Sequence, residues 1–314
     1  MNISILTLNP GVDRVIYLDT PTRLGTLNRA AHTVINQGSK GANVAIMLKT
    51  LGADPHYFTF TGGELGALSE SFTDRAGVRS HFTKTECGVR MNVKVIDIDG
   101  VCTELNECGG PVTSGELDAI ISALKNDESE LVVMNGSLPQ GVPTDVYECI
   151  IKHFSGTDTV TVLDCDGEAM KKGLRAHPTL IKPNRRELAG IVGACESELC
   201  GIYSVLNAAK SVKADYGCDV ICTLDGDGSI YVGEHESYIV SAAPVVLQGF
   251  SGAGDTYLSA YIYKKYIQKC DTKTALAYAS AAAGAKVALP GTTLPSVEQI
   301  QALVGSVEVR EITH

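Results

Sequence analysis

A strand, a helix and a second strand are predicted in succession over residues 131–164, which read LVVMNGSLPQGVPTDVYECIIKHFSGTDTVTVLD. The first and last segments, 131–135 and 159–164, are short apolar runs that end in polar residues, a pattern typical of parallel strands covered on both faces. Residues 144–154 between them have helical periodicity. Because parallel strands need a long crossover connection, this stretch predicts an α/β fold.

The same alternation continues on both sides of this stretch. Further strands are predicted at 3–8, 179–182 and 220–224, and further helices at 43–51, 114–124, 204–216, 256–267 and 274–287. Strands that alternate with helices predict a mostly parallel sheet inside a three-layer α/β/α sandwich. No linker-like or repeated segment divides the chain, so residues 1–314 are interpreted as one domain.

Two segments break this rhythm, at about 12–36 and about 87–106. Both have strand-like alternation without an intervening helix. They predict a small second β-sheet that covers the ends of the main strands as a lid. The alternative is that they extend the edge of the main sheet.

The composition fits an ordinary globular protein. Of its 314 residues, 44% are hydrophobic and 20% are charged. The apolar runs are shorter than the roughly 20 residues that cross a bilayer, and the N-terminus does not resemble a signal peptide, so a cytoplasmic location is expected. The net charge of −10 gives no general attraction for nucleic acid or anionic membranes. An anionic substrate would need individual, well-placed Lys and Arg residues.

The sharpest local feature is the sequence Gly252-Ala253-Gly254-Asp255 just before a predicted helix. Glycines allow close approach of a ligand, and the unsatisfied amides of a helix start attract anions such as phosphate. A carboxylate beside such a site can accept the proton of an attacking hydroxyl. The alternative interpretation is an ordinary Asp cap at a helix N-terminus.

A second glycine-rich turn, at 38–43, also precedes a helix. It would hold Lys40 and Asn43 near the helix start, where they could contact a polyol or a phosphate. It is not a Walker A loop, and the dinucleotide-binding fingerprint is missing after the first strand. Asp13 follows that strand and is positioned either to bind sugar hydroxyls or to stabilise a turn.

Three further groups of polar residues are candidates. Arg90, Asn92 and Lys94 share one strand face, which indicates either an anion site or a solvated surface. Asn184 and Glu187 follow Lys182 and could orient the water shell of Mg²⁺ or cap a helix. The turn from Thr223 to Gly228 suits a nucleotide but is equally a plain hairpin.

These motifs together resemble the phosphofructokinase B group of ribokinase-like carbohydrate kinases over nearly the whole chain. The resemblance rests on the order of the motifs Asn-Pro-x-x-Asp at 9–13, Gly-x-Lys-Gly-x-Asn-Val-Ala at 38–45, Arg-x-Asn-Val-Lys at 90–94, Thr-Glu-Leu-Asn at 103–106, Gly-Ser-Leu-Pro-x-Gly at 136–141, Ile-Lys-Pro-Asn-x-x-Glu-Leu at 181–188, Gly-Ala-Gly-Asp at 252–255 and Pro-Gly-Thr at 290–292. Within the group, the motifs at 90–94 and 103–106 are similar to those of the branch that contains 1-phosphofructokinases and tagatose-6-phosphate kinases.

The resemblance implies a role for each matching residue. Asp255 would be the catalytic base, with the amides of Gly252, Ala253 and Gly254 as the anion hole. The sugar phosphate would contact Asp13, Gly38, Lys40, Asn43, Arg90 and Asn92. ATP would lie along Lys182, Asn184, Thr223, Asp225, Gly226, Gly228 and Gly254, and Asn184 and Glu187 would organise Mg²⁺ through water.

The resemblance also implies a ketohexose phosphate as substrate and a homodimer formed through the lid. Fructose 1-phosphate is the expected acceptor, and tagatose 6-phosphate and fructose 6-phosphate are alternatives. A kinase of an unphosphorylated sugar or nucleoside, and a sugar-phosphate sensor without activity, are more distant alternatives. The chain departs from the family pattern at Ser39, where a Gly is usual, and at Phe250-Ser251, where Thr-Val is common.

Overall fold

The computed structural model describes residues 1–249 and 251–312, so the departure at Phe250 lies outside the described residues. The strands, β1 to β14 in chain order, are Ile3–Thr7, Gly11–Tyr17, His32–Gln37, Pro55–Thr61, Arg79–Lys84, Arg90–Ile96, Cys102–Asn106, Leu131–Asn135, Val160–Asp164, Leu180–Ile181, Asp219–Thr223, Ser229–Val232, Ser237–Val240 and Val309–Glu311. The α-helices, α1 to α10, are Lys40–Thr50, Gly63–Arg75, Ser114–Lys125, Val146–Phe154, Gly167–Leu174, Arg185–Val192, Ile202–Tyr216, Ala253–Ile262, Thr272–Val287 and Val297–Val304.

Ten strands form one large sheet in the order β14-β13-β12-β11-β10-β9-β8-β1-β4-β5. The strands from β11 to β5 in this order are all parallel. The remaining three, β12 to β14, add an antiparallel edge. The predicted, mostly parallel sheet is confirmed.

Successive side chains of β8 pack into two different hydrophobic cores, one on each face of the large sheet. Val132 and Met134 belong to one hydrophobic core, whereas Leu131 and Val133 belong to a second core. The first core includes residues of α3 and α4, and the second includes residues of α1, α8 and α9. Because successive side chains of a strand point to opposite faces, both faces of the sheet are covered. The predicted three-layer α/β/α sandwich is therefore confirmed.

The two exceptional segments form a separate four-stranded sheet in the order β3-β2-β6-β7, called the small sheet below. Strand β2 pairs antiparallel with β3, and β6 pairs antiparallel with β7. The two hairpins join through a parallel pairing of β2 with β6. The alternative that these segments extend the edge of the main sheet is wrong.

Some element boundaries differ from those predicted. The helix expected at 256–267 begins at Ala253, and residues 263–267 continue it as a π-helix. The helix expected from 43 begins at Lys40, directly after extended backbone at Ser39. As a result, both glycine-rich turns run into the first turn of a helix. Among the described residues, no helix combines the length and hydropathy that a membrane span requires.

Candidate active site

A cavity of about 300 Å³ brings together residues from both sheets. Most of the predicted site residues line it: Asp13, Gly38, Lys40, Asn43, Lys182, Asn184, Glu187, Thr223, Asp225, Gly252, Gly254 and Asp255. Ala253, Arg90, Asn92, Gly226 and Gly228 are not among the lining residues. Residues as far apart in the chain as Asp13 and Leu294 thus surround one space.

Asp255 is buried at the start of α8, with 7% of its surface exposed. The helix begins after Gly252, whose φ of +81° is in the left-handed region that favours glycine. The Asp255 carboxylate accepts a hydrogen bond of 2.8 Å from the side-chain amide of Asn43 in α1. It does not cap the helix, since the N-cap position is Gly252 and no side chain caps it. The interpretation of Asp255 as an ordinary helix cap is therefore wrong.

Burial raises the pKa of Asp255, and the nearby charge of Lys40 opposes that rise. A carboxyl whose pKa is raised is a stronger proton acceptor once it is ionised. The amides of the first turn of α8 have no partner four residues earlier in the helix. A buried carboxylate and the amides of a helix start therefore lie next to each other.

Asp164, at the end of β9, was not identified from the sequence. It is fully buried, and its Oδ1 lies 3.4 Å from the ammonium groups of both Lys40 and Lys182. Burial acts to raise the pKa of Asp164, but the charges of Lys182 and Lys40 outweigh it and lower that pKa. The pKa of Lys40 is raised, chiefly by Asp164. Asp164 thus holds two cations at the cavity wall.

Asp13 is buried in β2 and is held by two residues of β6. The side-chain amide of Asn92 donates a 2.9 Å hydrogen bond to Oδ1 of Asp13, and Lys94 lies 2.8 Å from Oδ2. The strand register explains this contact, because Asp13 and Asn92 are directly paired. Lys94 also lines the cavity, where it is the one member of the candidate group Arg90, Asn92 and Lys94 that does so.

Arg90 lies on the same strand face, four residues before Lys94, but it is not among the residues that line the cavity. Its guanidinium donates a 2.9 Å hydrogen bond to the carbonyl oxygen of Glu107. Of the two cations on this face, Lys94 is therefore the one that lines the cavity.

The turn at 38–41 packs closely against the strand that carries Asp13. A Cβ added at Gly38 would lie 2.2 Å from Oδ1 of Asp13 and 2.8 Å from its backbone nitrogen. The hydroxyl of Ser39 accepts a 3.0 Å hydrogen bond from the amide of Gly11. Ser39 is buried, so the departure from the family's usual Gly ties two loops together instead of adding a group to the cavity surface.

Asn184 and Glu187 form a capping box at the start of α6. Asn184 Oδ1 accepts from the amide of Glu187 at 2.8 Å, and Glu187 Oε2 accepts from the amide of Asn184 at 2.9 Å. The capping interpretation is confirmed, and one carboxylate oxygen remains. That atom, Glu187 Oε1, lies 3.9 Å from the ammonium of Lys40.

The turn after β11 is a hairpin into the antiparallel strand β12. Thr223 and Asp225 line the cavity, but Gly228 has a structural role. Its φ is +93°, and an added Cβ would lie 2.0 Å from the carbonyl oxygen of Val240. Only the first part of this turn therefore borders the cavity.

Lys286 of α9 lines the cavity but was missed by the sequence analysis. It is 1% exposed, and its ammonium donates a 2.8 Å hydrogen bond to the carbonyl oxygen of Gly291. The motif at 290–292 indicated this region, but a lysine four residues before it, inside an alanine-rich helix, gave no separate signal.

Comparison with known proteins agrees with this geometry. A 1-phosphofructokinase of Haloferax volcanii is 28% identical over 99% of both chains. A 1-phosphofructokinase of Borreliella burgdorferi is 30% identical over 83% of this chain and 84% of that protein. The solved structure of phosphofructokinase-2 from Escherichia coli with substrates and products is 24% identical and superposes with a TM-score of 0.89, covering 97% of this chain and 99% of that one.

The profile of the pfkB family of carbohydrate kinases matches residues 6–299. This match covers almost the entire chain, including the small sheet and the cavity residues of both sheets. The chain belongs to the pfkB family of carbohydrate kinases.

Proposed function

We propose that this kinase transfers a phosphoryl group from ATP to fructose 1-phosphate and so forms fructose 1,6-bisphosphate. Relatives named 1-phosphofructokinase that align with nearly the whole chain support this substrate. The observation that carries the proposal is the buried Asp255 carboxylate beside the start of α8, in a cavity that Lys40, Lys94 and Lys182 also line. Such an arrangement combines a base with groups that stabilise negative charge.

In the proposed reaction, Asp255 accepts the proton of the attacking sugar hydroxyl. Asn43 fixes the carboxylate through its 2.8 Å hydrogen bond. The amides of Gly252, Ala253 and Gly254 stabilise the charge that spreads over the transferring group, and Lys182 adds a cation close to Gly254. ATP supplies the γ-phosphoryl group when it is bound, as the kinases of this family use it as phosphate donor.

The sugar phosphate is proposed to bind next to the small sheet. Asp13 is fixed from two sides by Asn92 and Lys94 and accepts hydrogen bonds from sugar hydroxyls. Lys94 is the cavity-lining cation of β6, so we assign the substrate phosphate first to Lys94 and second to Arg90. Closure of the small sheet over the substrate would exclude water, which otherwise competes as an acceptor.

The residues present fit Mg²⁺ held through water. Mg²⁺ in kinases usually keeps several waters and uses one or two carboxylates together with substrate phosphates. Glu187 Oε1 is not used by the capping box, and Asp225 lines the same cavity. We propose that Glu187 and Asn184 orient the metal's water shell, where the metal would neutralise charge on the phosphates.

The decisive test of the proposed function is a coupled assay of ADP release with purified protein. Fructose 1-phosphate, fructose 6-phosphate, tagatose 6-phosphate and free fructose are compared by kcat/KM. We expect fructose 1-phosphate to exceed free fructose at least about 100-fold, since unpaired buried polar groups penalise an analogue that lacks the phosphate. If another sugar phosphate is preferred, only the proposed acceptor changes. If no ADP is released with any of these sugars, the proposed kinase activity is overturned.

Gly38→Ala tests the binding of sugar by Asp13. The added methyl group would collide with the Asp13 carboxylate and displace it. We expect KM for the sugar phosphate to rise at least about tenfold, about 1.4 kcal/mol, with a smaller change in KM for ATP. Steady-state kinetics with each substrate varied separately measures this difference. Gly115→Ala is the control, because no atom lies within 4 Å of a Cβ added there; equal effects of both variants would contradict the role of Asp13.

The pH dependence of kcat/KM tests Asp255 in a second way. Its pKa is raised, so activity should fall as the pH drops through that raised value and the carboxylate becomes protonated. The cation of Lys40 lowers the pKa of Asp255, so Lys40→Met should move the acid limb of the profile to higher pH. Lys49→Met in the same helix is the control, and an acid limb that stays in place in Lys40→Met would contradict this coupling.

We also propose a homodimer that forms through the small sheet. Ile35 and Leu105 expose apolar surface on the face of the small sheet opposite to Lys94, which is suited to pairing with a second copy. Sedimentation analysis compares Leu105→Asp with the unmodified chain. We expect a dimer for the unmodified chain and a monomer for the variant; an unmodified chain that sediments as a monomer, or a variant that stays dimeric, would contradict a dimer formed through this face. The cytoplasmic location predicted from the sequence is tested by fractionating cells that express the chain.

A further inference from the structure

Three buried polar residues, called the polar row below, end three neighbouring strands of the large sheet. Thr7 ends β1, Asn135 ends β8 and Asp164 ends β9. The strand register pairs Thr7 with Asn135, and Asn135 with Asp164. The residue two positions before each of them belongs to the hydrophobic core that includes α1, α8 and α9. Because side chains alternate along a strand, the three polar side chains point to that same face.

Four atoms of the polar row have no hydrogen-bond partner in the part of the chain that the structure describes. They are Oγ1 of Thr7, Oδ1 and Nδ2 of Asn135, and Oδ2 of Asp164. All three side chains are buried, and Asn135 and Asp164 are 0% exposed. An unpaired buried polar group costs free energy, and most such groups in native proteins are paired with protein or with ordered water. The polar row is therefore suited to a ligand that both donates and accepts hydrogen bonds.

The chemistry of these atoms fits water. An ionised carboxylate such as that of Asp164 only accepts hydrogen bonds, whereas the Asn135 amide and the Thr7 hydroxyl can each donate and accept. A buried water both donates and accepts, and it typically makes about three hydrogen bonds to buried polar groups. A charged ligand is not needed, because Oδ1 of Asp164 already lies 3.4 Å from the ammonium groups of Lys40 and Lys182.

The start of α1 packs directly on the polar row. A Cβ added at Gly41 would collide with Oγ1 of Thr7 and lie 3.2 Å from Cε2 of Tyr57, so this contact requires glycine. The hydroxyl of Tyr57, on strand β4, is also buried and has no partner among the described residues. Lys40 precedes Gly41 in the same turn of α1 and contacts Asp164. The polar row thus lies between the sheet and the helix that carries Lys40.

We propose that the polar row binds ordered water, and that Asn135 acts through this water as a positioning residue for Asp164. A water bonded to Oδ2 would fix the carboxylate, so that Oδ1 stays in contact with Lys40 and Lys182. The structural part of this inference is independent of the reaction. The kinetic part rests on the proposed function, in which Lys182 stabilises the transferring phosphoryl group.

Two variants of Asn135 distinguish water binding from the filling of space. Leucine keeps the number and branching of the side-chain atoms but cannot bond to water, whereas serine is smaller but keeps a hydroxyl. We expect Asn135→Leu to lower the Tm by about 3 °C or more, and Asn135→Ser to lower it less, because leucine leaves the water and its other partners unpaired. If the amide were simply unpaired, leucine would raise the Tm.

A Tm of Asn135→Leu that equals or exceeds the Tm of the unmodified chain, or that exceeds the Tm of Asn135→Ser, would overturn the proposal. Met134→Leu is the matched control. Met134 belongs to the core on the opposite face of the same strand, and this swap nearly conserves volume, so the Tm should change little.

A crystal structure of the unmodified chain tests the site directly. We expect a water within hydrogen-bond distance of both the Asn135 amide and Oδ2 of Asp164. A direct bond between these two groups without water, or a position without water density, would overturn the proposal.

The assay of ADP release tests the positioning role. We expect Asn135→Leu to lower kcat about tenfold, with KM for the sugar phosphate changed less than about threefold, and Asn135→Ser to keep kcat within about threefold. Full kcat in Asn135→Leu, or an equal loss in both variants, would overturn this role. If the unmodified chain releases no ADP, the proposed function fails, and the Tm comparison and the crystal structure still decide whether the polar row binds water.

Discussion

Replacing Asp255 with Asn should lower kcat at least about 100-fold while the protein stays folded. The substitution keeps the size of the side chain and its ability to interact with Asn43, but it removes the carboxylate that is proposed to accept the proton. General-base catalysis contributes about 10²- to 10⁴-fold to a rate, which sets the expected loss. Because burial disfavours the charged form of Asp255, the neutral amide should not reduce the free energy of unfolding.

Stopped-time assays of ADP release at saturating sugar phosphate measure this effect, and thermal unfolding confirms that the variant is folded. Asp215→Asn is the control, because Asp215 is exposed and is not among the residues that line the cavity. Turnover of Asp255→Asn near that of the unmodified chain would show that another group is the base. It would also remove the main support for the proposed mechanism.

Asp164→Ala should have the largest effect on stability among the cavity residues. Its carboxylate is completely buried between Lys40 and Lys182, at 3.4 Å from each ammonium group. Removing one member of a buried charge pair typically costs about 3–5 kcal/mol, because the opposite charge stays buried without compensation. Lys40 is partly exposed and can turn towards water, so we expect a loss of about 3 kcal/mol that is due mainly to Lys182.

Urea unfolding followed by circular dichroism measures this loss through the midpoint and the slope. Asp158→Ala is the control, since Asp158 is exposed on the turn before the same strand. A loss below about 1 kcal/mol for Asp164→Ala would mean that the two lysines find other partners. Asp164 would then not be the residue that holds them at the cavity wall.

The central part of the fold could be predicted from the sequence because its strands are covered on both faces. The apolar run at 131–135 coincides with β8, and all five of its residues are buried. The strand β4 was not recognised, since it begins with Pro55 and mixes Thr and His with aromatic residues. Helices α5 and α6 are only eight residues long, too short for periodicity to distinguish them from loops.

Site residues that belong to a sequence motif were predicted, whereas residues that only the packing brings to the site were missed. Gly38, Asp13 and Asp255 belong to ordered motifs, and the structure brings them to one cavity. Asp164 is one more polar residue at the end of an apolar strand, and only the contacts with Lys40 and Lys182 set it apart. The sequence correctly placed Arg90 and Lys94 on one strand face. It could not show which of these two cations lines the cavity, because that depends on the hydrogen bond of Arg90 to the carbonyl oxygen of Glu107.

The bond between Asn43 and Asp255 joins residues that are 212 positions apart in the chain. At a synthesis rate of about 5–20 residues per second, a ribosome needs about 10 to 40 s to make the intervening segment. During this time the N-terminal segment can fold locally, but its half of the active site stays incomplete. On the proposed mechanism, a nascent chain should therefore turn over no nucleotide until Asp255 and the rest of α8 have emerged.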